Sequence, residues 1–157
     1  MSTPAPETVP TTNRQWRIDV DTSATETPEW TQVRGVTNFV PSQTDQMADD
    51  TDYDDGIWTS MGVQSRSWAP TVTVRRNIDA DSSFDPGQEA LRAAADAGLP
   101  AHVRYYNRAT PEGEAYEGMV QVGWSPTGGA GPGWQEVGVT LTGRGERKTI
   151  AHPDATP

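Results

Sequence analysis

The sequence predicts a mainly β domain, an antiparallel β-sandwich or barrel with one flanking α-helix. Three observations predict it: repeated apolar/polar alternation of period two, one well-capped helical segment, and Pro/Gly-rich turns separating the alternating runs.

In chain order, residues 1–13 are rich in Pro and Thr and predict a flexible N-terminal arm. "RQWRIDVDT" then sets Trp16, Ile18 and Val20 against Gln15, Arg17 and Asp19, the pattern of a half-buried strand. A second strand is expected from Trp30 to Val40. The acidic run "DQMADDTDYDDG", residues 45–56, then reads as a loop between Pro41-Ser42 and Gly56. A strand over Ile57–Val63 is expected to pair with "SRSWAPTVTVRRN", which places Trp68, Pro70, Val72 and Val74 on one face. Pro70 cannot donate to a ladder, so it marks an edge or a bulge.

"DPGQEALRAAADAG" carries the full punctuation of a helix. Asp85 is the N-cap, Pro86 holds the first helical position, Gln88 stands where a capping box would return, and Gly98 ends it. Leu91, Ala94 and Ala95 form its packing face. "HVRYYNR" and "AYEGMVQVGW" flank the turn "ATPEGE" as a hairpin, with Tyr116, Val120, Val122 and Trp124 sharing a face. "SPTGGAGPG" is an open loop. "WQEVGVTLTGRGE" aligns Val137, Val139 and Leu141. The tally is about seven strands and one helix in a domain over residues 14–150, followed by a C-terminal tail at 151–157.

The composition looks too thin for this fold. Leu, Ile, Val and Phe total 22 of 157 residues and the formal net charge is -10, a combination that ordinarily reads as disorder. Six Trp, four Tyr and the clean alternations argue for order. An oligomer whose subunits complete one another's burial reconciles the two. No apolar run of membrane-spanning length occurs, and the first residues lack the basic and apolar regions of a signal peptide. With no cysteine there is neither disulfide nor thiolate chemistry, which fits a cytoplasmic origin. From Gly35 to Ser65 there is no Lys or Arg, and no basic stripe of a nucleic-acid binder appears.

The six aspartates of residues 45–56 invite a calcium-loop reading, since Asp50-x-Asp52-x-Asp54 begins like one. The reading fails on spacing. The sixth position is Asp55 rather than glycine, and the twelfth is Met61 rather than a bidentate glutamate. Acid–base catalysis needs a desolvated carboxyl, whereas clustered aspartates without apolar cover stay ionised. His102 and His152 are far apart, and "GGAGPG" has neither a following lysine nor a helix. No nucleophile motif or dinucleotide fingerprint is present, so the residues assign no catalysis, metal or cofactor.

The order of five segments carries a resemblance. "DDTDYDDGIW" at 49–58, "RSWAPTVTVRR" at 66–76, "DPGQEALRAAADAG" at 85–98, "YEGMVQVGWSP" at 116–126 and "VGVTLTGRGER" at 137–147 follow one another across almost the whole chain. In that order the sequence resembles the major tail (tail tube) proteins of long-tailed bacteriophages. The resemblance implies hexameric rings stacked into a hollow tube through which DNA passes without specific binding. It also implies tape-measure, terminator and distal tail proteins as partners, and a place in the virion after assembly in the host cytoplasm. Six copies at -10 make a ring of formal charge -60, suited to a conduit that must not trap phosphate.

In that setting the acidic stretch is a long loop contacting adjacent subunits or rings. Asp45, Asp49, Asp50, Asp52, Asp54 and Asp55 are its charged contacts and Tyr53 and Trp58 its apolar anchors. Arg75, Arg76, Arg144 and Arg147 are the candidate basic partners. Two other readings stand beside it. One is the tube of a contractile tail or related secretion apparatus. The other is an immunoglobulin-like binding module with Trp30 or Trp134 as a ligand platform.

Overall fold

The computed structural model describes residues 2–155, so the first position of the N-terminal arm and the last two of the C-terminal tail lie outside it. Ten strands and one helix follow in order: β1 (Trp16–Asp21), β2 (Trp30–Gln32), β3 (Val36–Val40), β4 (Gln43–Asp49), β5 (Met61–Trp68), β6 (Thr71–Arg75), α1 (Pro86–Ala97), β7 (Pro100–Asn107), β8 (Ala115–Pro126), β9 (Glu136–Gly143) and β10 (Lys148–Thr149). Eight of them form one antiparallel sheet in the order β2-β1-β7-β8-β9-β6-β3, with β10 added to β8. The other two, β4 and β5, pair only with each other.

The sheet must curl. Its two edge strands, β2 and β3, are consecutive in the chain, and Gln32 to Val36 can span at most about 14 Å. A flat sheet of seven strands would hold its edges about 29 Å apart. The sequence therefore closes the sheet into a barrel with one seam, at residues 33–35. There the Val33 N–H donates to Ile18 O at 3.0 Å and the Arg75 N–H to Gly35 O at 2.7 Å. Gly35 is required at the seam, because its φ is +74° and a Cβ would lie 2.6 Å from Arg75 O.

Inside the curl sit Ile18, Val20, Val103, Tyr105, Val120, Val139 and Leu141, all 2% exposed or less. The expected packing faces of β6, β8 and β9 are the ones that turn inward. Helix α1 lies against β8, with Leu91 fully buried in the same core. Its caps are as expected: Asp85 accepts from the Gln88 N–H, and Gly98 is left-handed at φ 67°.

Four expectations are corrected. The strand expected over Trp30–Val40 is two strands that serve opposite edges of the sheet, because Gly35 breaks it. The strand expected at Ile57–Val63 starts at Met61 and pairs with β4 rather than with the following run. Ala69-Pro70 interrupts that run, although Trp68, Pro70, Val72 and Val74 are all buried as its alternation required. Gln88 makes no capping box. It is 1% exposed, and its amide donates to Arg34 O at 2.6 Å and Arg75 O at 3.1 Å, tying the helix to the seam.

Candidate assembly interface

The acidic stretch is a hairpin arm rather than a loop. Asp45 and Asp49 lie on β4, and the remaining aspartates lie at the tip between β4 and β5. The arm is rooted by Trp68, which is 5% exposed. The indole donates to Gly145 O at 3.0 Å, and its ring packs so closely on Gly118 and Gly143 that a side chain at either would collide with it. At the same end Arg147 bonds Gln43, donates to the Tyr105 hydroxyl at 3.1 Å, and stacks 3.8 Å from the Tyr116 ring centre.

Register makes the arm two-faced. Gln43, Asp45, Met47 and Asp49 pair with Trp68, Arg66, Val63 and Met61, so these eight share a face, with a bulge at Gln64 resetting the alternation. The other face carries Thr44, Gln46, Ala48, Ser65 and Ser67. On the first face Met47, Val63 and Met61 are about half exposed, and the tip exposes Ile57, Trp58 and Tyr53 almost completely. Six large apolar side chains, three about half exposed and three nearly fully exposed, are thus gathered on one projection instead of being scattered singly over the surface.

The tip is locally built by its own carboxylates. Asp49 accepts from the Thr51 hydroxyl at 2.5 Å and its N–H at 2.9 Å, and these bonds hold its carboxyl below the ordinary range. Asp52 caps a short 3-10 turn at Tyr53–Asp55, accepting from the Asp54 N–H at 2.8 Å while Asp55 accepts from the Asp52 N–H at 3.0 Å. Thr51 and Ser60 close the hairpin end. The Asp49-x-Thr51 and Asp52-x-x-Asp55 spacings were the readable signal for this order. Asp50 and Asp54 form no such bond through their carboxylates among the described residues. Among these residues no group of three His, Asp or Glu is arranged to hold a metal.

Of the four arginines named as partners, none meets an arm aspartate within the subunit. Arg75 pairs with Glu136 at 3.4 Å. Arg76 is held by Glu89 at 2.5 Å and Gln88 at 3.0 Å, between the rings of Phe84 and Trp124. Arg147 is engaged at the arm's root, and Arg144 is exposed with no carboxylate partner among the described residues. The arm's own ion pair is Asp45–Arg66 at 3.6 Å, which the sequence reading missed. Trp30 is covered by His102 and Arg104, whereas Trp134 is exposed. His152 is buried beside Tyr106 and bonded to Asn107 O at 2.7 Å, a structural role.

No protein-family model matches the sequence, and no curated protein matches it. Solved structures do. The chain is similar to a subunit of the SPP1 tail tube with a TM-score of 0.69 at 14% identity, covering 92% of this chain and 81% of that one. The chain has the fold of phage tail-tube subunits. A second likeness is to the tail of an empty gene transfer agent particle with C6 symmetry, with a TM-score of 0.67 at 16% identity over 90% and 100% of the two chains. A more distant one is to the 6-fold symmetrised baseplate of the anti-feeding prophage, at a TM-score of 0.56 and 8% identity over 98% and 99%. These likenesses bear out the expected β architecture with its single helix.

Proposed function

We propose that the chain is a non-enzymatic structural subunit that self-assembles into hexameric rings, stacked as the hollow tail tube that conducts DNA to the host. The observation that carries this reading is the arm. It projects an apolar and acidic surface that its own subunit leaves uncovered, on a fold shared with assembled tails. Exposed apolar side chains of this number are stabilised by burial against a second copy. In this reading Asp45, Asp49, Asp50, Asp52, Tyr53, Asp54, Asp55 and Trp58 meet a neighbouring subunit. Of the four arginines expected to receive them, Arg144 is the one whose side chain has no ionic or aromatic partner among the described residues.

The subunit is a virion component assembled in the host cytoplasm, with tape-measure, terminator and distal tail proteins completing the tail. The charge is concentrated on the arm, while the outward sheet face over Thr71, Thr73, Gly123, Gly138, Thr140 and Thr142 is uncharged. A wall of hydroxyls and glycines, bordered by the Arg75–Glu136 pair, offers phosphate few counterion-releasing contacts, so it too leaves DNA free to pass. The likeness to the anti-feeding prophage baseplate favours the contractile-type tube as the second reading.

Negative-stain electron microscopy of the purified chain, with light scattering for mass, tests the proposal. Rings or hollow tubes of sixfold symmetry are the expected result. A homogeneous monomer at high concentration, in the presence of tail-tip initiator proteins, would sink it.

A further inference from the structure

The seam where the sheet fails to close is also a cleft. It has a volume of about 240 Å³ and lies between the start of β1 and the start of β3. Its floor is apolar, made by Trp16, Val36 and Phe39, with the Trp16 and Phe39 rings 5.5 Å apart. Arg14, Arg17 and Arg34 line it, and no carboxylate does. In a chain of net charge -10 that is an unusual concentration of positive charge.

The three arginines differ in their commitments. Arg17 pairs with Asp19 at 3.0 Å. Among the described residues Arg14 and Arg34 have no carboxylate within salt-bridge distance, and both are exposed. The arm tip is the complement. Among the described residues Asp50, Asp52, Asp54 and Asp55 have no cationic partner, and Tyr53 and Trp58 stand exposed among them.

From this complementarity we infer that the tip of one copy docks in the arginine-lined seam of a second copy. Trp58 or Tyr53 covers the Trp16–Phe39 floor while Asp52 and Asp54 face Arg14 and Arg34. The inference rests on the proposed assembly and names its receptor. Arg144 is the weaker receptor because it sits on an exposed turn and is not among the residues lining any described apolar cleft, so it could neutralise the aspartates but not cover the aromatic rings. The contact joins two different patches, so it is heterologous. Repeated by rotation it closes a ring, and repeated with a rise it builds a filament. Charge pairs buried under an aromatic cover are also where a partner is selected rather than merely attracted.

The cysteine-free chain gives a clean background for the test. One preparation carries Thr59→Cys beside the tip. A second carries Val36→Cys at the cleft, or Thr142→Cys near Arg144 as the competing site. After mixing and mild oxidation, the 59–36 pair is expected to give a disulfide-linked dimer and the 59–142 pair none. In parallel, Arg14→Glu/Arg34→Glu and Asp52→Arg/Asp54→Arg chains are each expected to lose assembly, and their mixture to regain it. Native chain that assembles while only the 59–142 pair cross-links, or while the mixture stays unassembled, overturns the docking and leaves the tube reading intact. Native chain that never assembles removes the tube reading first.

Discussion

The barrel and the arm are built from the same β-strand chemistry but stabilised by different things. In the barrel β1, β6, β7, β8 and β9 turn apolar side chains inward, and the core residues they supply are almost without exposure. Burial of this kind contributes about 25 cal/mol for each Å² removed from water. The arm has two strands, two open edges and no interior, and a lone two-stranded hairpin is marginal in water. Its large apolar residues lie in solvent instead of in a core. The chain's thin supply of aliphatic residues is divided unevenly between the two. The barrel takes most of it, and the arm's Ile57, Val63, Met47 and Met61 stay exposed.

The two regions meet at Trp68. Trp68→Ala removes the ring that seats the arm between Gly118 and Gly143, and replacing a buried aromatic by Ala costs about 3–5 kcal/mol. Chemical denaturation of the isolated subunit should show that loss as a lower midpoint. Limited proteolysis should cut first within residues 43–68, because the arm loses its root. A variant whose midpoint stays within experimental error would show that the arm is seated by Arg147 and Gln43 alone.

The outer surface of β1 and β7 offers the next largest effect. Asp19 is fully buried although its strand position faces outward, because Arg17 and Arg104 close over it at 3.0 and 2.9 Å. Asp19→Ala leaves two half-covered guanidinium groups without their shared acceptor, at a cost of about 3 kcal/mol. The same thermal or urea titration measures it. Unchanged stability would mean that water serves the two arginines as well as the carboxylate does.

These two residues also show what could be read in advance. Alternation gave the right facing for Trp68, Val72, Val74, Val137, Val139 and Leu141, because side-chain period is local. Burial of Asp19 was not legible, since it depends on Arg104, which lies 85 positions away in the sequence. The Trp30–Val40 run alternated well enough to read as one strand, and only the closing of the barrel shows why Gly35 divides it. Gln88 fitted a local capping rule, yet its partners are at the seam, a place the sequence does not announce. In the arm, composition made the aspartates conspicuous and so suggested a loop. The pairing of Met47 with Val63 and Met61 with Asp49 needed three-dimensional register.

A smaller effect concerns acid. Glu89 is bonded by Arg92 at 2.6 Å and Arg76 at 2.5 Å, and these partners hold its carboxyl below its ordinary value of 4.5. A carboxyl lowered on folding adds stability that is fully present above that value and is lost as pH falls through the lower, folded one. Stability measured from pH 6 down to pH 3 should therefore decline, and Glu89→Gln should decline less over the same interval. Identical slopes for the two chains would assign the acid sensitivity to other carboxylates.

The smallest effect on the subunit should accompany the largest effect on assembly. Replacing Asp50, Asp52 and Asp54 by Asn keeps side-chain size and keeps an N-cap at position 52, because Asn caps as well as Asp. The substitutions lie on an exposed tip, so the subunit's stability should move by less than about 0.5 kcal/mol and its circular dichroism should be unchanged. Rings or tubes should nevertheless be lost or shortened under conditions where the native chain forms them, because the tip no longer carries charge to a neighbour. Salt is the check on the mechanism. Raising ionic strength should weaken native assembly toward the level of the triple variant, since partly exposed charge pairs are screened over about 8 Å at physiological salt and about 3 Å at 1 M. Native tubes indifferent to salt, or a triple variant that assembles normally, would mean that the apolar side chains of the arm hold the contact alone and the aspartates serve only to keep the free tip soluble.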